Sequence, residues 1–361
     1  LTNQQLFNQK AFSVLSPTMY LVMYFLTLGI YFIGAYLIRD AGMADKIGIF
    51  GNMVVFSSYA MQVIMSFLML AMIFMMLPRA QVSANRINEV LDTEITVKDG
   101  TIDNNTNNEV GTVEFKNVGF KYPDGEDYVL KDISFKANKG ETVAFIGSTG
   151  SGKSTLINLV PRFYDATEGE ILVDGVNVKD YKLTSLYNKI GYVAQKAVIF
   201  NDTVSGNVSY GDNGKGEIST EKVKEAIEVA QGKDFVEKME NSYDTQMAQG
   251  GSNVSGGQKQ RISIARAIAR NPEIYIFDDS FSALDYKTDS ILRKELKKYT
   301  KDATTLIVAQ RIGTIMNADK ILVLDEGNLV GMGTHKELLE SCEVYKQIAL
   351  SQLSKEELDN A

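Results

Sequence analysis

Two long stretches without a charged residue, residues 11–38 and 47–78, most strongly constrain what this chain can fold into. Both are rich in Leu, Ile, Met, Phe and Val, and both exceed the ~20 apolar residues that a helix needs to cross a bilayer. The connecting sequence RDAGMADK is short and polar and contains Gly42, which favours a tight turn at a membrane surface. We predict two antiparallel transmembrane helices, over about residues 14–38 and 48–78. The alternative is a buried helical hairpin of a soluble protein, but such long uncharged runs are rare in soluble cores.

The charges that flank these stretches favour a cytoplasmic location for both ends of the hairpin. Lys10 precedes the first stretch and Arg79 and Arg86 follow the second, whereas the connecting loop balances two basic against two acidic residues. Cytoplasmic flanks of transmembrane helices carry an excess of Lys and Arg. We therefore expect the part of the chain that follows the hairpin to lie in the cytoplasm.

Methionine is concentrated in the hairpin, where ten of the fourteen methionines of the chain lie before residue 80. Five of them recur at helical spacing and share one face of the second stretch. Because Met is flexible and polarizable, such a face can accept many apolar shapes, and it can equally well pack against another helix. The sequence leaves both interpretations open. The five residues are Met61, Met65, Met69, Met72 and Met76.

Beyond Asp92 the sequence changes to that of an α/β domain. Residues 93–111 are polar and Asn-rich, which predicts a linker. The segment TVEFKNVGFKY then alternates apolar and polar residues as a half-buried strand does, and strands such as VAFIG, IYIFDD and TTLIVA alternate with helical segments. We predict a membrane part over 1–92, an α/β domain with a largely parallel central sheet over 112–350, and a loose polar tail over 351–361.

The composition excludes several classes of function. The formal net charge of −8 argues against a nucleic-acid-binding surface. The chain has one cysteine, Cys342, which cannot form an internal disulfide, and one histidine, so it contains no Cys/His cluster for zinc.

The peptide GSTGSGKST follows the apolar segment VAFI and precedes the helical segment LINLV, the setting in which a phosphate-binding loop is found. Its glycines let the backbone curl so that N–H groups point at phosphate oxygens, and the next helix presents its positive end there. Lys153 can reach the β- and γ-phosphates, and the Ser154 hydroxyl can bind Mg²⁺. The predicted ATP-binding loop comprises Gly147, Ser148, Thr149, Gly150, Ser151, Gly152, Lys153, Ser154 and Thr155.

A second motif, IYIFDD, ends a predicted buried strand with Asp278 and Asp279. An Asp at the end of such a strand holds Mg²⁺ in phosphoryl-transfer sites, directly or through water, so we predict Asp278 as a metal residue. The structural alternative is capping of the next helix, for which Ser280 or Ser282 is better suited. The motif alone leaves the role of Asp279 open.

A third motif, NVSGGQKQR, places a serine and two glycines before a predicted helix over about residues 258–270. Exposed amides at a helix N-terminus, together with a Ser hydroxyl, form a second anion-binding element. This element is over a hundred residues from the phosphate-binding loop. It can therefore bind a nucleotide that is held mainly by another copy or subunit.

Together these motifs resemble those of an ATP-binding cassette (ABC) exporter, over its last two membrane helices and its whole nucleotide-binding domain. GSTGSGKST resembles Walker A, VSGGQ the signature, IYIFD Walker B and SALD the D-loop, in the family's order and spacing. YVAQ resembles the Q-loop, FKYP the segment whose aromatic ring stacks on adenine, and SANRINEVLD the join between the two domains. The implied ligands are ATP at Tyr122, Gln195 and the Walker A residues, and Mg²⁺ at Ser154, Gln195 and Asp278. The implied signature, which binds the partner's nucleotide, is Ser255, Gly256, Gly257 and Gln258, with Asp285 in the D-loop.

Exporters of this class normally have six membrane helices per chain. The resemblance therefore implies that only the equivalents of the fifth and sixth are present, and that the sequence is a C-terminal fragment. The implied fold is a membrane helical hairpin, the last two helices of a type I exporter, followed by an α/β P-loop nucleotide-binding domain. The implied location is the plasma membrane, with several membrane crossings and a cytoplasmic nucleotide-binding domain.

Two positions of the nucleotide site depart from the family's pattern. Hydrolysing members have Glu after the Walker B Asp, whereas this chain has Asp279, one methylene shorter; a ~1 Å misplacement of a catalytic group can cost about a hundredfold in rate. Gln310 stands where the family has His, and an amide carries neither a proton nor a positive charge. The single histidine, His335, lies far from that motif and is predicted to be a surface helix residue. Gln249, before the signature, replaces a usual Glu.

These departures predict a site that binds ATP but hydrolyses it slowly, like the degenerate sites of heterodimeric exporters. The signature departs from the family only by Val254 in place of Leu, so it would complete a competent site with the Walker motifs of a second half-transporter. We therefore expect a heterodimer, with a homodimer as the alternative. The other expected partners are the lipid bilayer and a small lipophilic substrate, and we expect no nucleic acid.

The leading hypothesis for function is ATP-driven export of small molecules. Multidrug export is favoured over lipid or peptide export by the resemblance and by the methionine face. A soluble cassette ATPase is a second hypothesis, against which the hairpin argues. An ATP-gated regulator or channel is a third, which the departures at Asp279 and Gln310 keep open. An importer is disfavoured because importers usually place this domain on a separate chain.

Overall fold

The computed structural model describes residues 2–103, 109–211 and 214–352, and the chain divides into two compact units between residues 95 and 96. The first unit is a pair of long helices that contact each other, α1 (Thr2–Asp40) and α2 (Met43–Leu91). Both are long and apolar enough to cross a membrane: an 18-residue window within Pro17–Asp40 has a mean hydropathy of 2.0, and one within Met43–Leu91 has a mean hydropathy of 2.3.

Both helices are longer than the predicted spans of about 14–38 and 48–78. The charge-free stretches mark only the apolar part of each helix, whereas the backbone hydrogen bonds continue into the polar flanks. The helix α2 therefore runs on through Arg79 and Arg86 to Leu91, and α1 begins at Thr2.

One close contact between α1 and α2 depends on a glycine. A Cβ atom on Gly34 would lie 2.2 Å from the Met53 sulfur, so a larger residue would displace the Met53 side chain; small residues are common where membrane helices pack. The methionine face of α2 is not buried by the contact with α1. All five of its methionines are exposed, so the contact with α1 does not bury them, and packing within the hairpin does not account for the stripe.

The second unit is an α/β domain, and its described part contains a mainly parallel six-stranded sheet, a four-stranded antiparallel sheet and a short antiparallel pair. The six-stranded sheet has the order β12-β11-β3-β10-β9-β6, in which only the β11–β12 pair is antiparallel. The antiparallel sheet has the order β2-β1-β4-β5, and β7 pairs with β8. The strands are β1 (Val113–Phe120), β2 (Leu130–Ala137), β3 (Thr142–Gly147), β4 (Glu168–Val173), β5 (Val176–Asn177), β6 (Ile190–Val193), β7 (Asp202–Thr203), β8 (Gln246–Met247), β9 (Ile274–Asp278), β10 (Thr304–Val308), β11 (Lys320–Asp325) and β12 (Asn328–Gly333).

Helices cover the sheets and connect the strands. They are α3 (Lys153–Leu159), α4 (Leu183–Lys189), α5 (Val204–Val208), α6 (Thr220–Val229), α7 (Lys233–Val236), α8 (Gly256–Arg270), α9 (Tyr286–Tyr299), α10 (Ile312–Ile315), α11 (His335–Ser341) and α12 (Glu343–Gln352). The membrane-like hairpin followed by a domain with a largely parallel central sheet agrees with the predicted fold class.

The central sheet separates two hydrophobic cores. Because successive side chains of a strand point to opposite faces, alternate residues of β3 enter different cores: Ala144 and Ile146 enter one, and Val143 and Phe145 the other. All four are buried, so β3 is covered on both faces, as central parallel strands are.

The strand order also determines where the functional segments meet. Parallel strands end at the same edge of a sheet, and β3, β10, β9 and β6 are neighbours. The segments that follow them carry the phosphate-binding loop, Gln310, Asp279 and Gln195, respectively. Four stretches that are far apart in sequence are thereby brought to one edge.

Two predicted flexible segments are partly docked onto the second unit. In the predicted linker 93–111, the backbone of residues 100–102 is hydrogen-bonded to residues 180 and 181, and the Asp103 carboxylate pairs with Lys182; residues 104–108 of the linker lie outside the described residues. In the predicted tail 351–361, residues 351 and 352 are the last residues of α12, and the remainder lies outside the described residues. Polar composition alone did not reveal these hydrogen bonds to the domain.

The prediction of a surface position for His335 is wrong. The residue begins α11 but is buried, because α12 packs against α11, and its Nδ1 lies 2.6 Å from the hydroxyl of Tyr345. Its Nε2 is buried without a hydrogen-bond partner in the described part of the chain. Burial lowers the pKa of His335, and the charge of Lys336 acts in the same direction.

Candidate functional site

The phosphate-binding loop connects β3 to α3 through a tight curl that glycine makes possible. A Cβ atom on Gly147 would lie 2.0 Å from the carbonyl oxygen of Leu324, so no larger residue fits between β3 and β11. Gly152 precedes α3 with a φ of 94°, a left-handed conformation that L-residues rarely adopt. Residues 148–150 at the tip of the loop are exposed, and Ser151 is buried at its base.

Lys153 places its ammonium group inside this curl. Its Nζ donates hydrogen bonds to the carbonyl oxygens of Gly147 (2.9 Å) and Ser148 (2.7 Å), and to the Ser151 hydroxyl (3.3 Å). Burial lowers the pKa of Lys153, and the negative charges of Asp279 and Asp278 oppose that shift. The loop thus holds a buried cation at its centre, where an anion can pair with it.

Ser154 and Asp278 form a second pair at the same edge of the sheet. The Ser154 hydroxyl donates to Oδ1 of Asp278 over 2.8 Å, although 124 positions separate the two residues in sequence. Tyr192, on β6, lies beside them: its hydroxyl donates to Oδ1 of Asn158 at 2.8 Å and lies 3.5 Å from Oδ2 of Asp278. Burial raises the pKa of the Asp278 carboxyl; the hydrogen bond from Ser154 opposes this shift and the charge of Asp279 adds to it.

This pair has the donor set that Mg²⁺ takes in nucleotide sites. Mg²⁺ binds through one or two protein oxygens plus phosphate and water, and does not need a cage of protein ligands. The described residues contain no group of three or more His, Cys, Asp or Glu that could hold a metal. A hydroxyl and a buried carboxylate in contact therefore fit a phosphate-bound Mg²⁺ and do not fit a cation held by protein alone.

Asp279 contacts both Gln195, which the resemblance implies as an Mg²⁺ and ATP residue, and Gln310, which stands where the family has His. Its Oδ2 accepts hydrogen bonds from Nε2 of Gln310 at 2.7 Å and from Nε2 of Gln195 at 3.1 Å. The residue is buried, and its own backbone N–H donates to the carbonyl oxygen of Val308 at 3.0 Å. The sequence marked these three side chains separately, and the structure brings them together on one carboxylate oxygen.

An aromatic cluster lies beside the phosphate-binding loop. The rings of Phe120 and Tyr164 contact Tyr122 edge to face, at centroid distances of 5.0 and 5.1 Å. The Tyr122 hydroxyl lies 2.9 Å from that of Thr155, on α3. The three aromatic residues line a cleft of about 260 Å³. Tyr164 was missed in the sequence, although the aromatic pair in PRFYD, shortly after the phosphate-binding loop, was an available signal.

The signature motif occupies a different position. Ser255 caps α8, which begins at Gly256, two residues earlier than predicted; the Ser255 hydroxyl accepts from the Gln258 N–H while the Gln258 side chain accepts from the Ser255 N–H. Ser255 and Gly256 are exposed, and a Cβ on Gly257 would lie 3.2 Å from the carbonyl oxygen of Ala283.

The D-loop lies next to the signature. Its Asp285 caps α9 by accepting a hydrogen bond from the N–H of Thr288 at 3.0 Å. The signature residues form hydrogen bonds among themselves and with their own helix, and among the described residues none joins them to the phosphate-binding loop. Gln249 lies in an exposed turn just before the signature, where the Gly250 N–H bonds to the carbonyl oxygen of Ile199.

These features define a P-loop nucleotide-binding domain. They are a glycine-rich loop between a parallel strand and a helix, a lysine at the centre of that loop, and a hydroxyl beside an aspartate at the end of a strand. Comparison with known proteins narrows the class. Residues 130–282 match the family model described as ABC transporter. The second unit is therefore an ATP-binding domain of the ABC transporter class, and the two apolar helices precede it in the chain.

The chain is also similar to curated proteins along most of its length. It is 44% identical over 305 residues to an uncharacterized ABC transporter ATP-binding protein of Mycobacterium bovis, covering 84% of this chain and 52% of that protein. It is 40% identical over 341 residues to YfiB of Bacillus subtilis, named as an uncharacterized ABC transporter ATP-binding protein, covering 94% of this chain and 57% of the relative. A Staphylococcus aureus protein whose name refers to multidrug export, as an ATP-binding/permease protein, is 44% identical over 260 residues, or 72% of this chain and 44% of that protein.

The fold has a solved counterpart in a bacterial Atm1-family ABC exporter with ATP bound. The two structures align with a TM-score of 0.72 and 34% sequence identity, over 84% of this chain and 53% of that one. The chain thus spans about half the length of the curated relatives and the solved structure that it matches.

Proposed function

We propose that this chain binds Mg-ATP at the phosphate-binding loop and is part of one half of an ABC exporter. The observation that carries the proposal is the Lys153 ammonium centred in the loop beside the Ser154–Asp278 pair. Lys153 would bind the terminal phosphates of ATP, with the N–H groups of Gly147, Ser148, Thr149, Gly150, Ser151 and Gly152 around them. Mg²⁺, held by Ser154, Asp278 and Gln195, would neutralise phosphate charge, and Tyr122 would stack on the adenine with Thr155 behind its hydroxyl.

The proposed site is degenerate, and the contacts of Asp279 support this. Its carboxylate is one methylene shorter than the glutamate of hydrolysing relatives, and Oδ2 already accepts from two amides. A carboxylate held back from the attacking water polarises it poorly, and ~1 Å of misplacement can cost about a hundredfold in rate. Gln310 can contact a γ-phosphate through its amide but cannot supply a positive charge there.

The proposed partner is a second half-transporter with a competent site. The signature of this chain, Ser255, Gly256, Gly257 and Gln258, is exposed at its first two positions, and among the described residues its hydrogen bonds lie within its own segment and helix. It is therefore free to bind a nucleotide held by another subunit, with the D-loop residue Asp285 beside it. A heterodimer follows from this asymmetry; in a homodimer both sites would carry the same two substitutions.

The proposed activity is export of small lipophilic molecules across the plasma membrane, with a cytoplasmic ATP-binding domain. The apolar helices α1 and α2 and the exposed methionine face support membrane insertion and contact with apolar substrates. The name of the Staphylococcus aureus relative points in the same direction for that protein. An ATP-binding regulatory subunit, or a lipid or peptide exporter with little hydrolysis of its own, is the second candidate, favoured by Asp279 and Gln310.

The decisive test is the affinity for Mg-ATP of the chain in lipid nanodiscs, measured by calorimetry. Lys153→Ala removes a charged donor, and a hydrogen bond to a charged group contributes ~1.5–3 kcal/mol, so the affinity should fall about 10- to 100-fold. Lys238→Ala, at an exposed lysine, is the matched control and should bind normally. Unchanged affinity in Lys153→Ala would refute the proposed ATP site.

A transport assay distinguishes the exporter of small lipophilic molecules from the ATP-binding regulatory subunit. Inverted vesicles containing the chain and its partner should accumulate a fluorescent lipophilic cation on addition of Mg-ATP if the protein exports such molecules. Nucleotide binding without accumulation of any apolar probe, in a pair whose partner site hydrolyses ATP, would favour the regulatory subunit.

A further inference from the structure

The last described helix, α12, reaches the nucleotide site through a single side chain. Tyr345, Ala349 and Gln352 recur at intervals of four and three residues, so they share one face of the helix. Tyr345 and Ala349 are fully buried, and α12 packs against α10, β3 and β11. The third position on this face is polar, and it contacts the segment between β10 and α10 that carries Gln310.

Gln352 makes two hydrogen bonds with the backbone of that segment, which we call the switch segment (residues 309–312). Its Nε2 donates to the carbonyl oxygen of Gln310 at 2.8 Å, and its Oε1 accepts from the N–H of Ile312, also at 2.8 Å. Ile312 is the first residue of α10, and first-turn N–H groups have no partner within their own helix. The side-chain amide therefore supplies a donor and an acceptor to the backbone, as a neighbouring strand would.

The switch segment transmits this contact to the nucleotide site. The side chain of Gln310, whose carbonyl is held by Gln352, donates to Asp279 at 2.7 Å, and the same Asp279 oxygen accepts from Gln195 at 3.1 Å. A continuous series of hydrogen bonds and covalent bonds thus runs from α12 to the Walker B carboxylate. Neither the signature nor the phosphate-binding loop is needed to complete it.

We propose that Gln352 is a positioning residue for this chain's nucleotide site. By holding both Gln310 and Ile312 it fixes the switch segment, so that the docking of α12 sets the Gln310–Asp279 contact and slows the release of bound Mg-ATP. The helix α12 is then a part of the ATP site's machinery. This inference rests on the proposed ATP binding and adds a mechanism for its control.

The first measurement is amide hydrogen exchange over residues 309–316, on the chain in lipid nanodiscs with Mg-ATP bound. In Gln352→Ala the Ile312 N–H loses its acceptor, and one intramolecular hydrogen bond changes such an opening equilibrium by roughly fivefold to tenfold. Exchange at Ile312 should therefore be about five- to tenfold faster. Gln347→Ala is the matched control, because Gln347 is on the same helix and its side chain donates a hydrogen bond to Glu343 of that helix, at 3.5 Å.

The second measurement is the rate at which a fluorescent ATP analogue dissociates with Mg²⁺ from the same proteins. Gln352→Ala should release it about fivefold faster, and Gln310→Ala should do the same. The double variant should be no faster than Gln310→Ala alone, because both substitutions act on one contact and coupled sites are non-additive. A side chain that merely stabilises the fold would give additive effects and would also lower the unfolding temperature.

The possible results separate cleanly. Faster exchange together with a non-additive effect on release supports the proposal. Unchanged exchange at Ile312, or faster exchange with unchanged release, or additive release rates, would each overturn it. Lys153→Ala in the same assay tests the proposed ATP site: if Lys153→Ala weakens binding while Gln352→Ala leaves release unchanged, the inference fails and the proposed function stands.

Discussion

The phosphate-binding loop and the signature segment of this domain differ in how their polar groups are hydrogen-bonded. Around the phosphate-binding loop, Lys153, Ser154 and Asp279 are bonded to other residues of the same site, and Lys153 and Asp279 are buried. At the signature, Ser255 and Gly256 are exposed, and their hydrogen bonds remain within their own segment. The first region is an assembled site, and the second is an exposed surface, to which we propose that a partner's nucleotide binds.

This difference bears on how the two regions tolerate substitution. The assembled site carries both departures from the family, Asp279 and Gln310, and they contact each other. The signature surface has a single conservative change, Val254. The amide of Gln310 and the carboxylate of Asp279 satisfy each other by a hydrogen bond, so both departures are compatible with the fold of the site; that they slow its chemistry is our proposal.

We expect the largest effect from a substitution in the signature, measured in the complex with the partner. This substitution tests whether the two regions have different roles. Ser255→Ala removes a hydroxyl that would bond the partner's nucleotide, so ATP turnover by the pair should fall about 10- to 100-fold. The affinity of this chain's own loop for Mg-ATP should not change. Turnover is measured by phosphate release and affinity by calorimetry.

A control is needed because Ser255 also caps α8, and a lost cap costs about 1 kcal/mol. Thr334→Ala removes an equivalent capping box, at the start of α11. If Thr334→Ala lowered turnover as much as Ser255→Ala, helix capping rather than nucleotide contact would explain the loss, and the distinction between the two regions would fail.

A smaller effect is expected from restoring the family residue in the assembled site. Asp279→Glu extends the carboxylate by one methylene, and since ~1 Å of placement can matter about a hundredfold while Gln310 remains unable to carry charge, we expect a gain of about tenfold. Single-turnover hydrolysis in the chain, with the partner's Walker lysine replaced, measures this site alone. No gain from Asp279→Glu, alone or with Gln310→His, would mean that the site is slow for another reason.

We expect the smallest effect from His335, a buried polar residue that lies outside both regions. Because burial lowers the pKa of His335, the folded state favours the neutral ring, while the unfolded chain takes up a proton below about pH 6.5. The stabilising contribution is therefore present above about pH 6.5 and is lost as the pH falls toward the lowered pKa, so the free energy of unfolding should be smaller at pH 5.5 than at pH 7. Urea unfolding at both pH values should show this loss, and His335→Gln should reduce it. An equal loss in His335→Gln would assign the pH dependence to other groups.

The sequence was most informative where function depends on short segments. The glycine pattern, the strand-end Asp278 and the charge-free hairpin are local features, and local spacing is enough to predict a curl, a strand end and a membrane-length helix. The parallel arrangement of the sheet followed from the alternation of strands and helices.

The contacts within the site could not be read in the same way. Tyr192 beside Asp278, and Gln195 and Gln310 on one oxygen of Asp279, depend on which strands are neighbours, and strand order is not encoded in any short motif. The burial of His335 depends on α12 covering α11, and the same helix brings Gln352 to the switch segment. These are tertiary contacts between segments whose local patterns are ordinary.

The backbone at Asp279 has a φ of 46°, in the left-handed region. Aspartate and asparagine adopt this conformation more readily than longer side chains do, because a short polar group can bond locally. The aspartate is thus well matched to the main chain at this point. We expect a glutamate introduced here to speed ATP hydrolysis and, at the same time, to lower the melting temperature slightly. The rate of hydrolysis and the backbone conformation thus favour different residues at this position.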